Sequence, residues 1–428
     1  MKTEQIVDIL KRSGADAWEL TVTSETGWEF YLIRHRLDQN RVKNIERCQV
    51  KVYKALEEGR MLGSASAELA PTATKEEAEK IIHDLLADAA YVRNPAYTLN
   101  TPTAKTKPED AEVDVRAIAG DFLDVMRSLP ETTTEDVNSY EIFVTEVRRR
   151  FLNSEGIDVS FVYPNSELEV VLNARDGERE IELYRLLDSG ACDREGLKRD
   201  LTEALRYGRD KLSARPTPAL GKMAVLFSTD AATEIYDWFI GRMSTGLIYQ
   251  HISDWELGKP IAEEVRGDRV TLEAVRSLPN SSRNFAYDAE GAPIRDETLI
   301  EENVARHYWG SRQFSQYIGV QDSFRAENFR VTGGTQPSDA LRQGKYLEVV
   351  EFSDFQVNPF NGDIAGEIRL GYLHDGDQVY SVSGGSVSGT MAEAVRDMRM
   401  SQELRQYDHL LIPAVTRLEG LTVTGKEA

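Results

Sequence analysis

The chain has 428 residues, more than one ordinary domain holds, so two or three domains are expected. Hydrophobic residues make up 41% and charged residues 29%, the balance of a water-soluble globular protein, and no apolar run approaches the ~20 residues that cross a bilayer. The 72 acids against 51 bases leave a net charge of −21, which speaks against a phosphate-binding surface and so against direct nucleic-acid binding.

The opening residues, MKTEQIVDILKR, lack the apolar core of a signal peptide. Cys48 and Cys192 are too few for a disulfide framework, and neither stands in a Cys-x-x-Cys motif. A cytoplasmic location with no membrane partner is the simplest expectation.

Apolar spacing at Ile6, Val7, Ile9 and Leu10 predicts a helix over 3–13, closed by Gly14. Alternating stretches follow, WELTVTS, WEFYLIR and CQVKVYKALEEGRMLGSASAEL, the last a hairpin turning near Glu58-Gly59. TKEEAEKIIHDLLADAAYV reads as a helix with Thr74 as N-cap and Glu77 completing a capping box. Residues 1–92 therefore read as a small α+β domain.

A connector rich in Pro and Thr, NPAYTLNTPTAKTKPEDAE, leads to a helix at about 112–128 and strands over roughly 138–188. Turns are expected at Asn153–Gly156, Pro164-Asn165 and Asp176-Gly177. Within these strands EVRRRF holds three consecutive arginines, whose alternating faces prevent a single basic patch. A helix at about 193–213 ends this middle segment, 93–215, and ARPTPALGK is the clearest linker.

From 216 onward a strand (KMAVLFS) and a helix (TDAATEIYDWFIGRM) precede a mostly β domain running to 428. KYLEVVEFSDFQV, AGEIRLGYLHDGDQVYSVSGG and LEGLTVTG are its best alternating stretches. The fold class expected is α+β: an N-terminal α+β domain, a middle α/β segment and a mostly β C-terminal domain.

Few residues carry an obvious chemistry. The six histidines, at 35, 83, 251, 307, 374 and 409, show no i, i+4 pair for a metal. His83 reads as structural, and spacing gives no reason to bring His251 and His307 together. SVSGGSVSG lacks the ending of a phosphate-binding loop, and Val387 stands where a Gly-x-Ser-x-Gly nucleophile would, so it reads as a turn. NGDIAGE and LHDGDQV lack calcium-ligand spacing and read as turns too. On the helix after the first C-terminal strand, Ala231, Ala232, Ile235, Trp238 and Phe239 share an apolar face, with Glu234 and Asp237 on the polar side. Taken alone, Glu234 is a solvated acid.

FAYDAEGAPIRDETLIEENVARHYWGSRQFSQYIG, at 285–319, resembles a segment of the TldD/TldE (PmbA) family, matching at Asp288, Glu290, Gly291, Thr298, Leu299, Ile300 and Glu301. RRFLNSEG, NPFNGDIAGEIRLGYLHDGDQVYSVSGGSVSG and PAVTRLEGLTVTG are similar to its middle and C-terminal segments, in order. The resemblance implies a three-segment architecture. Active subunits of that family resemble zinc peptidases, with His-Glu-x-x-x-His on this same helix and a cysteine ligand further on. Overlaid here, Thr233 stands at the first histidine, Glu234 at the glutamate and Trp238 at the second histidine, and no cysteine follows Cys192. All three ligands are missing. Without a cation to polarise a carbonyl, Glu234 has no catalytic role to play.

The resemblance thus implies a non-catalytic subunit of TldE (PmbA) type in a cytoplasmic protease complex acting on unfolded proteins or peptides. Its expected partner is a TldD-type metallopeptidase subunit or a second copy of itself, as a homodimer. Zinc is expected only in the TldD-type partner, with no cofactor in this chain. Extended peptides would be held by strand addition. The alternatives are a stand-alone homo-oligomeric peptidase and a regulatory protein acting on DNA gyrase.

Overall fold

A computed structural model describes residues 2–103 and 112–426. Of the connector expected over 94–112, residues 104–111 lie outside the described residues.

Helix α1 (Thr3–Arg12) ends at Ser13, followed by Gly14 with φ of 80°. Strands β1 (Ala17–Ile33) and β2 (Arg36–Leu56) form a long hairpin, and β3 (Met61–Leu69) follows after a turn at Glu57–Gly59. Helix α2 (Lys75–Ala89) carries the expected capping box, Glu77 N donating to Thr74 Oγ1 at 3.2 Å and Thr74 N to Glu77 Oε2 at 2.8 Å. The short β4 (Asn94–Pro95) and helix α3 (Val115–Arg127) precede β5 (Glu135–Asn153), β6 (Asp158–Asp176), β7 (Arg179–Ser189) and helix α4 (Arg194–Leu212).

These strands make one antiparallel seven-stranded sheet in the order β4-β3-β2-β1-β5-β6-β7. Hydrogen bonding passes without a break from residues 1–92 into 93–215, because β1 pairs with β5 from Glu19 to Ile33. Leu20 and Leu32 share a face of β1 and lie under helices, Leu20 in a cluster with α1 and α2, Leu32 in one with α3 and α4. On the other face Val147, Phe151, Phe161 and Tyr163 pack against Ala286 and Tyr287 of the C-terminal domain.

Three details differ from the sequence reading. WELTVTS and WEFYLIR belong to one 17-residue strand, because Gly27 serves close packing rather than a turn: a methyl there would run into the Val144 carbonyl of β5. Residues 36–47 are strand although polar, since β3 pairs with β2 only from Cys48 onward and the rest of β2 is an exposed edge. Pro164-Asn165 is no turn but lies inside β6. Pairing with β7 begins only at Ser166, so the missing proline N–H falls where β6 has one neighbour.

In the C-terminal domain β8 (Arg215–Pro216) and β9 (Gly221–Phe227) lead to helices α5 (Ala232–Arg242) and α6 (Thr245–Tyr249). Next come β10 (Thr271–Val275), β11 (Glu297–Glu301), β12 (Val304–Ala305), α7 (Arg312–Tyr317), β13 (Asn328–Thr332) and α8 (Ser338–Leu341). The chain ends through β14 (Tyr346–Val357), β15 (Asp363–Asp375), β16 (Gln378–Ser383), β17 (Ser386–Thr390), α9 (Met391–Ala394), β18 (Arg399–Met400), β19 (Leu404–Tyr407), β20 (Leu410–Pro413) and β21 (Thr416–Thr424).

One sheet runs β12-β11-β10-β13-β20-β19. A second, β14-β9-β21-β17-β15-β16-β8, closes into a ring because β14 also pairs with β15. Side chains of α5 and of both sheets form one apolar core. The proline-rich stretch read as a linker is tied into this domain, Val382 pairing with Arg215 and Lys426 bridging Pro218. The architecture is α+β with a β-rich C-terminal domain, as expected. No helix among the described residues is long and apolar enough to cross a membrane.

Candidate functional site

Strand β9 delivers the chain into the core at Phe227, and the turn Ser228–Ala231 reverses it into α5 through the bonds Ala232 N to Thr229 O (3.0 Å) and Thr233 N to Asp230 O (2.9 Å). Ile235, Tyr236, Trp238, Phe239 and Ile240 are all buried, so apolar contact surrounds most of the helix. Tyr236 OH lies 2.6 Å from Thr416 Oγ1, and Trp309 Nε1 donates to Ile240 O at 2.8 Å. The helix is fixed from both ends and from beneath.

The three positions singled out by the resemblance have distinct surroundings. Thr233 donates its hydroxyl to Asp230 O at 2.7 Å. Trp238 packs edge-on against Trp255 and Phe239, under the Arg242 guanidinium, and Gly362 leaves room for its indole. Glu234 is half-buried. Burial pushes its carboxyl up, the Val357 amide pulls it down and Asp354 raises it again.

Asp237 stands one turn on, with an exposed edge in water. Protein crowding lifts its carboxyl to about 6, while His409 and Arg283 hold it down. Next to His409 in the chain, Asp408 accepts hydrogen bonds from Ser282 N and Ser282 Oγ, both 2.7 Å, and lies 3.5 Å from His409 Nδ1. Burial alone would raise Asp408, but these partners bring it below the usual carboxylate range. His409 is thus the histidine that bears on the polar side of α5, and no local spacing signals it, because the turn between β19 and β20 brings it there from the far end of the chain. His307 is exposed and bonded to Thr298 O at 2.9 Å, His251 sits exposed in a turn, and His83 is exposed on α2.

This donor set does not fit a metal. The Thr233 hydroxyl is engaged by backbone, the indole of Trp238 offers no lone pair, and two acids remain. Among the described residues no three His, Cys, Asp or Glu side chains come together as ligands.

A groove opens at the N-terminal end of α5. Three adjoining cavities of about 160, 70 and 540 Å³ run along α4, which lines them from Asp193 to Asp210, roughly 25 Å at 1.5 Å per residue. The Ser228–Asp230 turn, β14, β15 and the segment Arg405–Asp408 form the other wall. Nine acids and five arginines line it, so its potential is negative. Several are paired: Arg342 Nη2 with Glu348 Oε1 at 2.7 Å, Arg405 with Asp200 at 2.9 Å, and Tyr372 OH with Asp210 at 2.5 Å. Sequence reading missed this groove, because its walls come from residues about two hundred positions apart.

A domain with this ring-closed sheet and buried helix is of a metallopeptidase-related class: residues 220–425 match the PmbA/TldA metallopeptidase C-terminal domain. The C-terminal domain therefore belongs to the TldD/TldE (PmbA) family. No curated protein matches its sequence. Its whole fold is shared with solved structures at low identity. TldE from Thermococcus kodakarensis is 16% identical, covering 99% of each chain with a TM-score of 0.73. A Thermotoga maritima protein proposed to modulate a DNA gyrase is 16% identical, covering 99% of this chain and 100% of that one at 0.75. A Bacteroides thetaiotaomicron protein, also proposed to modulate DNA gyrase, is 17% identical, covering 99% and 98% at 0.75.

Proposed function

We propose that this chain is the non-catalytic subunit of a TldD/TldE-type protease complex, holding unfolded segments or peptides for a metal-bearing partner. The observation that carries this reading is Trp238. Where a ligand histidine would stand, an indole is packed against Trp255 and Phe239 at centroid distances of 5.3 and 5.0 Å. That packing belongs to a core, not to an open coordination site. The acidic groove along α4 supports the holding role, since its length suits about seven or eight extended residues at ~3.3 Å each.

Glu234 and Asp237 have no reacting centre to serve in this chain alone. The test is cleavage of an unfolded protein by the purified chain, by a motif-bearing TldD-type subunit, and by their mixture. Cleavage by the mixture, abolished by a chelator and absent from this chain alone, is expected. Chelator-sensitive cleavage by this chain alone would overturn the proposal and favour a stand-alone peptidase.

A further inference from the structure

The smallest of the three cavities, about 70 Å³, lies where the turn before α5 faces α4. Four carboxylates line it: Asp200 and Glu203 of α4, Asp230 of the turn and Glu351 of β14. Arg405 lies 2.9 Å from Asp200 and 3.3 Å from Glu203, Arg199 lies 3.1 Å from Asp200, and Arg185 pairs with Glu351. Among the described residues Asp230 has no ion-pair partner, so four carboxylates face three guanidinium groups and one negative charge remains in excess. Burial drives the Asp200 and Glu351 carboxyls upward and Asp230 pushes Glu351 the same way, while Arg405 and Arg199 oppose the rise at Asp200 and Arg185 and Lys211 oppose it at Glu351.

A second observation points to a ligand. Thr229 lines the same cavity at 8% exposure, and its hydroxyl oxygen meets no partner. A buried hydroxyl is ordinarily satisfied, so an unfilled one beside unneutralised carboxylates marks a place for a donor. The described carboxylates do not converge as metal ligands. A primary ammonium suits them better: it carries three N–H donors and one positive charge on a compact head. The rings of Tyr207 and Tyr407 form walls along which an aliphatic stem can lie.

We propose that this cavity receives the primary ammonium group of an extended peptide lying in the groove, from a lysine side chain or a free N-terminus. The inference rests on the peptide-holding reading above and adds a substrate preference to it.

The test is fluorescence anisotropy of the full chain with labelled eight-residue peptides, capped at both ends, carrying one central lysine, acetyl-lysine or norleucine. A fourth peptide has norleucine and a free N-terminus. The expected result is about tenfold tighter binding for lysine, for the free terminus, or for both, over capped norleucine, with acetyl-lysine matching norleucine. Asp230→Asn and Thr229→Val are expected to shrink the advantage several-fold. Equal binding of all four peptides would overturn the inference and leave the holding role intact. Binding of none would overturn both. The peptide comparison needs no variant, so a misfolded mutant does not spoil it.

Discussion

Trp238 meets Trp255 edge to face, ring centroids 5.3 Å apart and planes at 89°, and the Arg242 guanidinium lies over both rings. Arg242 is held in turn by Ile252 O at 2.7 Å and by Asp254. An aromatic cluster thus ties α5 to the segment after α6.

Trp238→Ala is expected to destabilise the chain by about 3–5 kcal/mol, the usual cost of emptying a buried aromatic site. Denaturant unfolding measures it. Thr233→His combined with Trp238→His should gain no stoichiometric zinc, since no cysteine follows Cys192 to supply the third ligand of the family set. Metal analysis of the purified double variant checks this, and bound zinc would show that the reading of the helix is wrong.

Gly27 tests the continuity of the long sheet. Any side chain there must push β1 away from the Val144 carbonyl and Thr145 of β5. Gly27→Val is expected to cost at least about 2 kcal/mol, although valine otherwise favours strands. A variant as stable as the parent would show that β1 and β5 do not approach so closely.

Asp288 anchors a buried turn, accepting from Glu290 N and Ala292 N at 2.9 Å and from Arg325 N at 2.8 Å. Burial nevertheless pushes its carboxyl up to about 7, with Glu290 adding to the rise and the three amides opposing it. The folded chain therefore holds this proton more tightly than the unfolded chain, whose aspartate titrates near ~4. The stabilisation from this group is complete below pH ~4 and is lost as pH rises through about 7. Stability should fall between those limits, by up to roughly 4 kcal/mol from this group, and Asp288→Asn should flatten the slope. Unfolding curves of parent and variant at pH 5 and pH 8 check the difference.

The same residue shows what was legible in the sequence. The stretch Asp288–Gly291 stood out by its resemblance to the family, and the structure gives it a mechanical role: Gly291, with φ of 76°, lets the turn pack against Phe151. Helices announced themselves by local signals, as Thr74 and Glu77 did, because capping is settled within four residues. The hairpin arm of β2 did not, since an exposed edge needs no apolar alternation. Thr233 and Trp238 drew notice only through the family resemblance. His409, Asp408 and the groove along α4 were not, because they are assembled only when β19 and β20 return across the C-terminal domain.

Within that groove, Glu348 is nearly buried and kept ionised by Arg342. Burial works to raise its carboxyl, and the guanidinium, bonded at 2.7 and 3.0 Å, outweighs it. Arg342→Ala strands that charge and is expected to cost about 3 kcal/mol. Arg342→Met with Glu348→Leu should recover most of the loss, because the second change removes the stranded carboxylate. Chemical denaturation of the single and double variants decides it: a double variant no better than the single would mean the pair is not the source of the loss.

The most direct test of the non-catalytic subunit reading is mild affinity purification of the tagged chain from its own cells, followed by mass spectrometry. The expected result is a stoichiometric partner of similar size carrying His-Glu-x-x-x-His. Recovery of this chain alone, or of gyrase with no peptidase subunit, would contradict it.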